Sequence, residues 1–138
     1  MQLLARREHS AAELQRKLRQ RGVEADVAAS AVSALADSGL QSDERYAEML
    51  VRSRVGQGFG PLRIEAELRQ AGIAADVAAA ALAAADADWT GLAAAAQQRH
   101  FDALPRDGAE RARQYRYLAG RGFDAGQIAR ALKGGDID

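Results

Sequence analysis

The chain has 138 residues, with 19 lysines and arginines against 19 aspartates and glutamates, so its net charge is zero and charge alone does not announce a nucleic-acid binder. It has no cysteine, which fits a reducing compartment, and no apolar run approaches the ~20 residues that span a bilayer. Arg6-Arg7 is followed by charged rather than apolar residues and is not an export signal, so a soluble cytoplasmic protein is expected.

Taken in chain order, the elements read as helices. Only Met1 to His9 precede Ser10, so a first helix here is short, through native truncation or trimming of the chain. Ser10-Ala-Ala-Glu13 has capping-box spacing, and Leu14 and Leu18 share one face of the helix that follows. Gly22 suits the left-handed residue past its end, and the next helix carries Val27, Ala31 and Leu35. Asp43 to Arg54 forms another helix, with acids in its first turn, where the helix dipole favours them. Gly60-Pro61 opens the next one, with Ile64 and Leu68 four apart, and Gly72 closes it. A further Ala-rich helix follows, Trp89 begins another, and QYRYLAGRG ends at Gly122.

Gly22, Gly72 and Gly122 are 50 residues apart, the mark of an internal repeat. Residues 10–35 and 60–85 align without a gap and are identical at 11 of 26 positions, including Leu18/Leu68, Arg19/Arg69, Gln20/Gln70 and Asp26/Asp76. The third copy keeps Leu118, Gly122, Phe123 and Leu132 in register but has Gln114 where Leu14 and Ile64 sit. With no alternating strand pattern, the expected fold is all-α: three tandem three-helix repeats in an elongated, curved array. The units are expected at 1–40, 41–87 and 88–138, the last with a short tail, joined flexibly through Ala83–Ala87.

Zero net charge hides segregation. Residues 1–24 carry six basic and three acidic residues, 25–51 one and five, 52–72 four and two, 73–110 two and six, and 111–133 six and one. The basic stretches recur with the repeat, which predicts a stripe of Arg16, Lys17, Arg19, Arg21, Arg52, Arg54, Arg63, Arg69, Arg113, Arg116 and Arg121. Such a stripe attracts phosphates or an acidic protein surface, and arginine favours bidentate contacts to either. A solvated face with intrahelical pairs such as Glu65–Arg69 accounts for the same charges.

Other motifs carry little chemistry. Gly56-Gln-Gly-Phe-Gly60 resembles a phosphate loop but follows a helix and leads into Pro61, so it reads as an inter-helix turn. His9 and His100 lack metal-ligand spacing and read as surface or helix-end residues. Trp89 reads as a packing anchor between repeats, and Tyr46, Tyr115 and Tyr117 as amphipathic packing residues. With no nucleophile–base set or acid–base pair, no enzyme, metal or cofactor is expected.

Three blocks carry a family resemblance: Leu3-Leu-Ala-Arg-Arg-Glu-His-Ser10 with Glu13-Leu14; Val51-Arg-Ser-Arg54 with Gly58-Phe-Gly-Pro61 and Arg63-Ile64; and Tyr117-Leu118 with Arg121-Gly-Phe123. From Leu3 to about Leu132 the chain resembles RecX, a family of bacterial regulatory proteins of the RecA recombinase; Asp102 to Glu110 is less regular. The resemblance implies a monomer of three three-helix repeats. It would lie in the groove of the RecA nucleoprotein filament and suppress ATP hydrolysis, strand exchange and repressor cleavage, by halting filament growth or promoting disassembly. Some members are said to bind DNA as well, so a DNA binder competing with RecA through the basic stripe is the alternative. The matching charged blocks place partner binding on Arg6, Arg7, Glu8, Arg52, Arg54 and Arg63; the charge pattern adds Arg16, Arg19, Arg69, Arg113, Arg116 and Arg121.

Overall fold

The computed structural model describes residues 7–133. Eight helices and no strand occur among them: α1 (Ala11–Gln20), α2 (Ala25–Asp37), α3 (Asp43–Gly56), α4 (Pro61–Gln70), α5 (Ala75–Ala85), α6 (Trp89–His100), α7 (Gly108–Gly120) and α8 (Ala125–Ala131). They pack as α1 with α2, then α3–α5, then α6–α8. The predicted signals set the helix ends. The capping box at Ser10 and Glu13 is closed in both directions. Pro61 opens α4, and Gly22, Gly72 and Gly122 take φ of 93°, 83° and 103° after α1, α4 and α7.

The second unit has an aliphatic core of Leu50, Val51, Ile64, Leu68 and Ile73 with Ala47, Ala78 and Ala81. The third packs Leu118, Phe123, Ile128 and Leu132 on Ala93 and Ala96. Trp89 is half-buried against both cores, the anchoring role its sequence context predicts. Of the residues singled out in α2, Val27 is 58% exposed and Ala31 is exposed, while their neighbours Ala28 and Val32 are buried. The equivalents Val77 and Ala81 pack against α3, and among the described residues nothing takes the place of α3 beside α2. A helix covered on one side buries a narrower stripe.

Gln114 occupies the core position held elsewhere by Leu14 and Ile64, and it is buried. The Gln97 amide donates to Gln114 Oε1 at 3.0 Å, and both amide nitrogens donate to the Ala103 carbonyl, at 3.1 and 3.0 Å. The irregular stretch between α6 and α7 is thereby fastened to the third core.

Successive units meet end to end through their middle helices. Ser10 Oγ, at the start of α1, donates to the Ala71 carbonyl at the end of α4, 2.7 Å away. One unit on, the Gly60 amide at the start of α4 donates to the Arg121 carbonyl after α7 (2.8 Å), and the Leu62 amide donates to the Gly122 carbonyl (2.9 Å). At this second joint the first amides of α4 thus find acceptors on the C-terminal turn of α7, where at the first joint a capping hydroxyl does the same for α1 on α4. Ala11 N also donates to Asp43 Oδ1 at 2.8 Å across the first joint. Ser10→Ala removes a cap and leaves the Ala71 carbonyl without its partner, so it should cost about 1–2 kcal/mol in urea unfolding. A loss no larger than that of an exposed substitution would mean that the joint is held elsewhere.

His9 precedes this cap and is buried, so it is a helix-end residue but not a surface one. Lys17 Nζ, which can only donate, lies 3.3 Å from Nε2, so Nδ1 carries the proton and donates to the Arg7 carbonyl at 3.1 Å. Burial, and then the charges of Arg7 and Lys17, hold its pKa below the ordinary 6.5, against a smaller opposing pull from Glu13. The unfolded chain therefore binds the proton first as pH falls. Stability from this site is complete above 6.5 and is lost as pH drops through the lowered value. Melting temperatures from pH 7.5 down to about 5 should fall more steeply for the wild type than for His9→Gln; parallel curves would refute it.

Candidate functional site

Two arginine-lined surfaces lie at the joints. The first is an open groove of about 750 Å³ between the first and second units, walled by Arg7, Glu13, Arg16, Tyr46, Arg54, Glu67 and Gln70, with Met49 half-buried and Leu50 and Ala71 buried beneath it. Most of its charges are paired. Arg7 meets Glu13 at 3.5 Å, and Arg54 Nε meets Glu67 Oε1 at 2.8 Å. Burial and the neighbouring Glu13 raise the Tyr46 pKa, so the phenol stays protonated and donates to Glu13 Oε2 at 3.4 Å. Arg16 is exposed and pairs with no carboxylate among the described residues. An open groove that sets three arginines beside Met49 and the Tyr46 hydroxyl has residue types favoured at protein-binding surfaces.

The second surface surrounds the turn Gly58-Phe59-Gly60. The guanidinium carbons of Arg63 and Arg121 lie 4.0 and 4.1 Å from the Phe59 ring centroid, within cation–π range. Arg121 Nη2 donates to the Gln57 carbonyl at 2.7 Å, while its Nε is buried without a partner. Arg99 Nη2 and Arg121 Nη2 lie 2.7 and 3.3 Å from the point where a Cβ on Gly58 would sit.

The predicted residues therefore divide. Arg7, Arg16 and Arg54 come together in the groove, and Arg63 and Arg121 at the second joint. Arg52 faces elsewhere, beside Glu48, Val55, Ala81 and Ala85. Glu8 pairs with Arg45 at 3.1 Å. Arg19, Arg69, Arg113 and Arg116 are exposed, and Arg6 lies outside the described residues. Glu65 and Arg69 do not form the expected pair: Glu67 instead joins Arg54 and Arg63, because it faces α3 as well as its own helix. Arg99 escapes the sequence reading because it sits in a stretch with two basic and six acidic residues; its place at the end of α6 was the available signal. His100 stacks on Tyr117 at 3.9 Å, which places both in packing. No cluster with metal-ligand geometry occurs among the described residues, and no helix among them is long and apolar enough to cross a membrane.

Three family models match the chain: the first, second and third three-helix domains of RecX, over residues 1–35, 42–82 and 86–132. The chain is 47% identical to the regulatory protein RecX of Chromohalobacter salexigens, over 96% of its own length and 87% of that protein's. It is 45% identical to that of Pseudomonas putida, over 100% and 89%. A crystal structure of RecX from Lactobacillus salivarius shares the fold with a TM-score of 0.82 at 22% identity, over 96% of this chain and 88% of that one. A second RecX crystal structure gives 0.80 at 20% identity, over 96% and 66%. Matched by all three domain descriptions in order and by relatives along its whole length, the chain belongs to the RecX family of regulatory proteins.

Proposed function

We propose that the protein is a negative regulator of RecA that binds the RecA nucleoprotein filament and restrains its ATPase, strand-exchange and coprotease activities by blocking growth or promoting disassembly. Membership of the RecX family carries this reading. The groove between the first and second units is the surface that meets RecA. Its paired arginines, Arg7 and Arg54, are held in place, Met49 adds apolar contact, and Arg16 takes an acidic side chain of the partner. The protein acts as a cytoplasmic monomer without catalysis. A filament presents equivalent surfaces at regular steps, so an array of like units engages it through several weak contacts acting at high effective concentration.

The test is RecA's single-strand-dependent ATPase, with substoichiometric protein added before and after filament assembly. Inhibition well below one-to-one is expected. Arg16→Glu should fold normally and require about tenfold more protein for the same inhibition, because it sets a like charge against the partner's acid. Arg52→Glu, on another face, should inhibit as the wild type does. Equal behaviour of the two variants would remove the groove from the contact, and no inhibition by folded wild type in excess would refute the regulatory reading.

A further inference from the structure

A polar cavity in the third unit holds acceptors that the fold leaves unused. It is an open trough of about 620 Å³ along α6, bordered by the segment between α6 and α7 and by α8. Asp88 and Thr90 line it at the start of α6; Gln97, Phe101 and Asp102 line it more than two helical turns further on. The first end is satisfied within the fold. Asp88 caps α6 by accepting from the Gly91 amide at 3.0 Å, and Arg130 Nε donates to Thr90 Oγ1 at 3.2 Å, so a carboxylate and a guanidinium share that end. The other end is not satisfied. Gln97 is only 3% exposed, and its amide nitrogen uses both hydrogens, on Gln114 Oε1 and on the Ala103 carbonyl. Its Oε1 accepts from no donor among the described residues. Among them, Arg121 Nε is the one side-chain polar atom both without a partner and sealed from solvent. Gln97 Oε1 therefore opens outward, and the cavity that Gln97 lines is its opening. Asp102 beside it is exposed and makes no hydrogen bond or ion pair among the described residues. Nearly buried acceptors without donors carry a desolvation cost that a donor from outside removes.

We propose that this end of the cavity receives an arginine side chain of a protein partner: the guanidinium donates to Gln97 Oε1 and to the Asp102 carboxylate, and its methylene stem lies on Phe101 and Leu104. The acceptors exclude an anion. A neutral donor would satisfy Gln97 but leave the charge of Asp102 unanswered. Arginine suits the pair better than lysine, because its planar fork reaches an amide oxygen and a carboxylate together and is more weakly hydrated than an ammonium, so it enters a cavity at less cost. Phe101 is half-buried and Leu104 exposed, which supplies the apolar ledge that a long cationic side chain covers. The trough is larger than one side chain fills, so residues flanking the arginine enter it too, and a free amino acid would leave most of it empty. It shares no lining residue with the groove between the first and second units, so one molecule can hold a partner at each.

The experiment titrates the whole isotope-labelled protein with a short capped peptide that carries one arginine between two leucines, followed by NMR. No RecA is present, so its outcome is independent of the regulatory reading. The Gln97 side-chain amide and the backbone amides of residues 101–104 should shift first. The same peptide with citrulline, which keeps the shape and loses the charge, should produce little shift, and the peptide with lysine should bind more weakly. Free arginine should bind about tenfold more weakly than the peptide, since it lacks the leucines that bury apolar area on Phe101 and Leu104. Asp102→Asn, at an exposed side chain, should leave the fold unchanged and weaken peptide binding about fivefold. Asp37→Asn, at an exposed acid on α2, should bind as the wild type does. Equal binding by Asp102→Asn and wild type, an equal loss in Asp37→Asn, or equal shifts from the citrulline peptide overturns the site. Tighter binding of the lysine peptide overturns the choice of arginine. Free arginine binding as tightly as the peptide makes the cavity a small-molecule site and overturns the protein partner.

Discussion

Gly60→Ala is expected to cost about 3 kcal/mol or more in denaturant unfolding, at the upper end of the cost of overpacking. Its φ of −89° is one that alanine adopts freely, so the cost is not conformational. A Cβ there would strike the Gly122 carbonyl carbon, come 2.5 Å from Gly122 O and come 2.6 Å from Phe123 N. These atoms are backbone, so no rotamer change relieves the overlap, and both amide–carbonyl bonds of the joint would have to open. Gly122→Ala should cost at least as much. It adds the strain of φ 103° to a collision with Arg63, whose backbone nitrogen would lie 2.8 Å away. Gly22, at φ 93° with open space around it, occupies the same place in the repeat, and Gly22→Ala should cost only about 1–2 kcal/mol of left-handed strain. The third unit should also unfold separately from the second in the first two variants, giving a broadened or two-step transition. Equal losses at Gly22 and Gly122 would falsify the view that the joint, and not the turn itself, makes the second glycine necessary.

Gln97→Leu alone is expected to destabilise by about 2–3 kcal/mol, and Gln97→Leu with Gln114→Leu by less than either single change. The single change leaves Gln114 Oε1 facing an apolar side chain inside a core, an acceptor desolvated with no donor. The double change removes both polar groups and restores the aliphatic side chain that the other two units carry at this position, as Leu14 and Ile64. What the double variant loses is the fastening of the Ala103 carbonyl, which both amides hold. The segment between α6 and α7 should then exchange its amides faster although the unit is more stable than in either single variant. Urea midpoints for the three variants, with hydrogen exchange across residues 101–107, separate the two effects. Additive losses would show that the glutamines act independently rather than as a pair.

The local part of the fold was legible from residue types with fixed backbone consequences. Ser10 with Glu13, Pro61, and the glycines at 22, 72 and 122 set helix ends through interactions within a few residues, so sequence spacing suffices to place them. The 50-residue period established that the unit recurs, and the resemblance blocks led to the family that the domain matches then showed. Burial was legible only where a helix has neighbours on both sides. Val77 is covered by α3, while Val27, identical in the repeat, is not, and nothing local to either residue distinguishes them.

The candidate surfaces were decided by tertiary structure. Charge counted along the chain put Arg52 and Arg54 in one stripe, but residues two apart on a helix point in widely different directions, and only Arg54 reaches the groove. The same counting hid Arg99 among acidic neighbours, although the end-to-end stacking of α7 on α4 brings it over Gly58 beside Arg121. By itself, then, the sequence determined the helices, their ends, the repeat and the family, because caps, turns and periodicity act over one or two helical turns. The pairing of units and the gathering of arginines at their joints were decided by the tertiary structure, because those contacts join residues some 60 positions apart, such as Ser10 with Ala71 and Gln57 with Arg121.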